Sequence, residues 1–202
     1  MTIEPNIVIT RKQLKVFVWI AFLSLCSCQG NKKREETTKL VLEWTGKEIK
    51  FPENVPCYIS GIETLTEHCD ECFRKEYKIL LYVDSTGCSD CRLQLYEWIH
   101  LMEEADSMYQ GRVGFLLFFQ PKSMRTMISL FAREWFDCPV FMDFKGTINS
   151  LNCFPQEMEY QCFLLDRDNK VIAIGNPIMN RQIWELYQSH IKDENKSELQ
   201  ME

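Results

Sequence analysis

The spacing of apolar positions along the chain predicts most of its elements. Residues 79–83 (ILLYV) form a short apolar run bounded by polar residues, as a buried strand does. Asp84-Ser85-Thr86-Gly87 reads as a turn. Beyond it Cys91, Leu95, Trp98, Ile99 and Met102 recur at i, i+4, i+7, i+8 and i+11, a single buried stripe on a helix expected over 88–108. Residues 113–119 (VGFLLFF) are apolar throughout, the pattern of a strand covered on both faces. A second helix is expected over 123–136, with Met124, Met127, Ile128, Phe131 and Trp135 on one side. A short strand follows at 140–142, then a loop or broken helix around Pro155. A strand at 161–165, the turn Asp166-Arg167-Asp168-Asn169 and an antiparallel return at 171–174 make a hairpin. Asn180 is expected to cap a last helix whose Ile183, Trp184, Tyr187 and Ile191 face inward.

Upstream of residue 78 the pattern is less regular. Residues 40–52 read as two short strands about the turn Thr45-Gly46-Lys47, and 61–77 as a polar segment of weak helical character. Residues 29–38 are polar and charged, as in a flexible tether. At the N-terminus Arg11, Lys12 and Lys15 precede an apolar stretch of ten residues, 16–25 (VFVWIAFLSL), broken only by Ser24. That run is too short for a transmembrane helix, which needs about 20 residues, and fits the apolar region of a signal peptide. Leu25-Cys26-Ser27-Cys28 follows. It resembles a bacterial lipobox, which implies that Cys28, with Cys26 as the alternative, is acylated and becomes the mature N-terminus. Secretion without a lipid, or a short uncleaved anchor, is the other reading. Gln29 is not acidic; by the same resemblance this implies the outer membrane of a Gram-negative cell envelope, with the domain facing the periplasm. The organisation expected is a leader at 1–27, a tether at 28–38, an N-terminal β-hairpin extension at 39–77, a main domain at 78–191 and a polar tail at 192–202.

Composition narrows the function classes. With 46% hydrophobic and 12% aromatic residues in 202, the chain can bury a packed core, which argues against disorder. The net charge is −6 and no long basic run is present, so nucleic acid is not an expected partner. His68, His100 and His190 are scattered, which argues against a His-rich metal site. Of ten cysteines, eight lie beyond Cys28, and outside the cytosol such residues persist as disulfides. Cys57, Cys138, Cys153 and Cys162 allow three connectivities, or stay as buried thiols. Cys69-Asp70-Glu71-Cys72 is a second pair, and Cys69-x2-Cys72-x15-Cys88-x2-Cys91 falls within zinc-ribbon spacing. The intervening residues hold one strand rather than a ribbon hairpin, however. A Cys69–Cys72 disulfide, or a relay partner for Cys88 and Cys91, is the stronger reading, and no metal is expected.

The candidate chemistry lies at Cys88-Ser89-Asp90-Cys91, a Cys-x-x-Cys pair at a strand-to-helix junction. Two cysteines three apart on a first helical turn close a disulfide without unwinding the helix. The first of them meets free backbone N–H groups that favour a thiolate. The element order, with this pair after a central strand, resembles the thioredoxin family over roughly 78–191, and most of all its exported lipoproteins and membrane-tethered thiol–disulfide oxidoreductases. Gln161-Cys162-Phe163-Leu164-Leu165-Asp166, then Asn169-Lys170-Val171 and Gly175, looks like the stretch those families place after the active-site loop.

The resemblance implies an α/β fold, a central mixed β-sheet flanked by helices. It also implies Cys88 as attacking thiolate, Cys91 as resolving cysteine, no cofactor, protein disulfides as substrates and a membrane thiol–disulfide electron donor. Arg92 favours the thiolate, whereas Asp90 opposes a second anion beside it; a reducing rather than oxidising role is expected. Three positions depart from the family: Gly87 replaces an aromatic residue, Tyr82 a buried acid, and Tyr160 the cis-proline that faces the cysteine pair, Pro155 standing five residues too early. No proline stands seven before Cys88, which argues against a peroxiredoxin-type peroxidase. The rival reading is a non-catalytic thioredoxin-like binding or assembly module of the envelope with structural disulfides.

Overall fold

The computed structural model describes residues 32–60, 62–64, 67–85 and 93–198. The chain divides into two compact units, 1–43 and 44–202. In the first, the described residues belong to a helix, α1 (32–44), whose last residue opens the second unit. Lys32 and Glu36 pair one turn apart at 3.8 Å, and the Thr38 hydroxyl donates to the Arg34 carbonyl at 2.8 Å. Helix therefore replaces both the tether read at 32–38 and the strand read from residue 40. The segment is rich in Lys, Arg, Glu and Leu, good helix formers. Gly46, at φ 80°, sits just past the helix end rather than at the tip of a hairpin.

The second unit is built on a mixed sheet. Its strands are β1 (Cys57–Ile59), β2 (Ile62–Thr64), β3 (Tyr77–Val83), β4 (Val113–Phe119), β5 (Val140–Met142), β6 (Cys162–Leu165) and β7 (Val171–Ile174). They lie in the order β2-β1-β5-β4-β3-β6-β7. β3, β4 and β5 are parallel to one another, while β6 and β1 run antiparallel to β3 and β5. The β1–β2 pair is an antiparallel hairpin. It falls within the expected N-terminal extension but at 57–64 instead of 40–52.

The helices are α2 (Glu67–Phe73), α3 (Leu95–Tyr109), α4 (Met124–Arg133), α5 (Thr147–Asn152) and α6 (Arg181–Glu198), with a 3-10 turn at Met158–Tyr160. The crossovers β3–α3–β4 and β4–α4–β5 step in the same direction across the sheet. Right-handed connections then place both helices on one face. There Ile79, Leu81, Val83, Leu117 and Phe119 pack with Trp98, Leu101, Leu130, Phe131, Trp184 and Tyr187.

The opposite face is aromatic. Phe154 packs on Trp44 (5.7 Å between ring centroids), Tyr82 (5.0 Å) and Phe163 (5.3 Å). A second group joins Phe51, Phe73, Phe118 and Phe141.

Three sequence expectations for the helices change in detail. α3 begins at Leu95, because Gln94 is left-handed (φ 46°, ψ 47°). Leu93 and Leu95 are both buried; two residues apart they would point to opposite sides of one continuous helix, and the break at Gln94 turns both inward. On α4 the buried stripe is Met127, Leu130 and Phe131. Trp135 lies beyond the helix end at φ 53° and is 87% exposed, while Phe136 takes the inward place. α6 continues to Glu198, past the point where a loose tail was expected.

Candidate functional site

The C-terminal ends of the parallel strands and the start of β6 share one edge of the sheet. Hydrogen bonds lock that edge strand by strand. The Gln120 N–H donates to the Val83 carbonyl at 2.8 Å and the Asp143 N–H to the Phe119 carbonyl at 2.8 Å. On the other side the Tyr82 N–H donates to the Gln161 carbonyl at 2.9 Å. β3 is central, with β4 and β6 on its two sides, so the chain leaves the sheet at Val83 with a fixed neighbour on each side. It is pinned again at Leu93 and Leu95, both buried.

Between those anchors, residues 86–92 lie outside the described residues. Cys88, Asp90, Cys91 and Arg92 fall there, as does Gly87. Cys28 and the whole expected leader lie outside them as well.

The polar groups along the same edge are well defined. Tyr82 is buried, and its hydroxyl donates to Gln120 Oε1 at 3.0 Å. Gly146, at φ 64°, lies against that Gln120: a Cβ there would come within 2.8 Å of Gln120 Nε2. Asp143 is buried at the end of β5 and caps α5, its Oδ2 accepting from the Ile148 N–H at 2.8 Å. The Tyr82 hydroxyl and the Gln120 amide thus form a neutral contact at this edge. Periodicity gave no signal for the Tyr82–Gln120 pair, which joins residues 38 apart in sequence.

Tyr160 comes to this edge. It is half-buried in the turn Met158–Tyr160, one residue before Gln161, which pairs across to Tyr82. Gln161 is itself buried, and its Nε2 donates to the Pro155 carbonyl at 2.8 Å. The loop that carries Pro155 is therefore tied to the first residues of β6. All described peptide bonds are trans.

The remaining cysteines are arranged differently from the sequence reading. Cys69 is bonded to Cys57, with Cα atoms 6.6 Å apart, and Cys72 is a free thiol. The Cys69–Cys72 disulfide is thus not the one formed: Cys69 on α2 and Cys57 on β1, both fully buried, are joined instead. As a disulfide sulfur, Cys69 has no thiolate to offer zinc, which removes one ligand of the ribbon spacing. Nothing in the sequence singles out this partner for Cys57. Cys138 and Cys162 are free. Burial pushes the Cys162 thiol up to about 12 and the Cys138 thiol up to about 11, the charge of Asp137 adding to the latter. Neither carries an appreciable thiolate at neutral pH. Cys153 is exposed at the end of α5.

No protein-family model matches the sequence, and no curated protein matches it. Among solved structures the chain is similar to a peroxiredoxin Q variant of Xanthomonas campestris, at 13% identity and a TM-score of 0.49, covering 74% of this chain and 99% of that one. It is also similar to the thioredoxin domain of a thiol-disulfide oxidoreductase from Bacteroides vulgatus, at 11% identity and a TM-score of 0.46, covering 71% of this chain and 97% of that one. The strand order and directions are those of an α/β fold of the thioredoxin-like kind, a mixed sheet flanked by helices.

Proposed function

We propose that this protein is an exported thiol–disulfide oxidoreductase that works through Cys88 and Cys91. One observation carries the reading. The segment that joins the central parallel strand β3 to the buried helix α3 has the sequence Cys88-Ser89-Asp90-Cys91, and both its anchors, Val83 and Leu93, are buried. In this proposal the Cys88 thiolate attacks a substrate disulfide, and one substrate sulfur leaves as a thiol. Cys91 then attacks Cys88 Sγ, releasing the second substrate thiol and closing the Cys88–Cys91 disulfide. Two electrons pass to the substrate. A membrane thiol–disulfide donor restores the dithiol. Arg92 supports the thiolate and Asp90 restrains it, which favours reduction of substrates over their oxidation. Cys28 carries a lipid that holds the domain at the envelope membrane of a Gram-negative cell, facing the periplasm.

Tyr160 and Tyr82 favour a second reading. They stand where the thioredoxin family has a proline and a buried acid, and the Tyr82 hydroxyl is engaged by Gln120. On that reading the protein is a non-catalytic envelope module whose disulfides only brace it. The two separate in a disulfide-reduction assay on a protein substrate with a dithiol as donor. The oxidoreductase reading expects turnover by the wild type and a loss of at least a hundredfold in Cys88→Ala. Equal rates in both proteins would support the module.

A further inference from the structure

Cys57, Cys69 and Cys72 are three sulfurs with one bond among them. Cys57 and Cys69 are joined and fully buried. Cys72 is a half-buried free thiol three residues beyond Cys69 on α2. On a helix that spacing brings side chains to the same side, with Cβ atoms about 5–6 Å apart. Their Cα atoms are then roughly 5 Å apart, inside the range that disulfides span.

The two ends of the existing bond are held by different means. β1 meets β5 at Cys57–Phe141 and Tyr58–Val140, with one further bond from the Met142 N–H to the Pro56 carbonyl at 3.0 Å, and its other neighbour is the three-residue edge strand β2. α2 is seated by packing. A Cβ at Gly114 would collide with the Cys72 carbonyl, so the bare glycine lets the second turn of α2 rest on β4. Phe73 then packs against Phe51 at 5.0 Å and Phe141 at 5.3 Å.

We propose that Cys72 is the internal exchange partner of the Cys57–Cys69 disulfide, and that this exchange releases the β1–β2 hairpin from α2. The Cys72 thiolate attacks Cys69 Sγ. The Cys57–Cys69 bond breaks as the Cys69–Cys72 bond forms, and Cys57 leaves as a thiolate that takes up a proton. No electrons enter or leave, so no external oxidant or reductant is required. α2 keeps its seat on β4 in both states, while the hairpin loses its covalent hold. The inference is independent of the chemistry of Cys88 and Cys91.

Burial raises the Cys72 thiol above its ordinary value, and Glu71 on the same helix adds to the rise. The Phe115 N–H of β4 and Lys75 oppose it. The Cys138 thiol, just before β5, also interacts with Cys72. The exchange is therefore slow at neutral pH and quickens on the alkaline side, by about tenfold per pH unit below the thiol's pKa.

The test is disulfide mapping of the full chain after incubation at pH 7 and pH 9.5, acid quench and alkylation. Cleavage after Glu67 and Glu71 puts the three cysteines on separate peptides. The expected result is a Cys69–Cys72 linkage with alkylated Cys57, rising with pH at a rate independent of protein concentration. It should be absent in Cys72→Ser and unchanged when Cys88 and Cys91 are both serine. As a second arm, Cys57→Ser in glutathione disulfide buffer should close Cys69–Cys72 while keeping its circular dichroism. Finding only Cys57–Cys69 at both pH values, or a rate that scales with protein concentration, would overturn the proposal. So would alkylatable Cys69 and Cys72 in the Cys57→Ser arm.

Discussion

The two faces of the central sheet are covered by different means. On one, three helices lay long apolar stripes over the strands, and the contacts follow the 3.6-residue period. On the other, short helices and irregular segments bring aromatic rings together from distant parts of the chain: Trp44 with Phe154 and Phe163, Phe51 with Phe73 and Phe118. That side of the molecule is also where α2 is bonded to β1 by the Cys57–Cys69 disulfide. The contrast separates two sources of order. Periodic burial shapes the helical face, and a covalent link reinforces a region whose strands are too short to hold by pairing alone.

The largest effect should come from breaking the helical face. Trp184 is fully buried, and its Nε1 donates to Glu104 Oε1 at 2.8 Å. Trp184→Ala removes the ring and leaves a cavity, while Glu104 keeps its bonds from Arg181 and Gln188. It should cost about 3–5 kcal/mol in urea unfolding. Since one cooperative core is involved, amide exchange should rise across β3, β4 and α3 together.

Removing the staple should cost less and act more locally. Cys57 and Cys69 are 12 residues apart in sequence. Replacing both with serine should lower stability by about 2–4 kcal/mol. Amide exchange should rise first at β1 and β2 and leave β3 protected. Uniform loss of protection would contradict the contrast between the faces.

The smallest effect is a pH response at the rim. Arg112 donates from Nε and Nη2 to the two Glu76 oxygens, each at 2.6 Å. This pairing holds the Glu76 carboxyl below the ordinary glutamate value. A carboxyl lowered in the folded state contributes stability above its unfolded pKa and loses it as pH falls through the folded one. Stability should therefore drop below about pH 4.5 by less than ~1 kcal/mol from this pair. Glu76→Gln should lose that part of the drop, as read from unfolding midpoints at pH 3 and pH 6.

Much of the helical face was legible in the sequence, because each strand and helix there carries its own local pattern. Residues 79–83, 113–119, 140–142 and 171–174 are strands in the structure as their apolar runs predict. Asn180 caps α6, its Oδ1 accepting from the Gln182 N–H at 3.0 Å, and Trp184, Tyr187 and Ile191 are buried as expected. The start of α3 was not legible, since a left-handed Gln94 has no apolar signature. The aromatic face was hardest to read. Residues 40–44 (LVLEW) suit a strand as a short, mostly apolar run, yet their neighbours favour helix and Gly46 ends it. The Cys57–Cys69 bond depends on how α2 docks, which no spacing rule encodes. Of the candidate site, the sequence offers the Cys-x-x-Cys segment, which lies outside the described residues, and Tyr82 and Tyr160, which both come to the same edge of the sheet. The pairing of Tyr82 with Gln120 required the sheet.

The central claim concerns Cys88 and Cys91, and a redox titration tests it most directly. The Cys88–Cys91 pair should be followed by alkylation and mass spectrometry in glutathione and dithiothreitol buffers of graded potential, with Cys57–Cys69 as the internal comparison. A working redox pair should open at a potential above about −300 mV while Cys57–Cys69 is still closed. If Cys88–Cys91 stays closed well below about −300 mV, in the range of structural disulfides, the oxidoreductase account is contradicted.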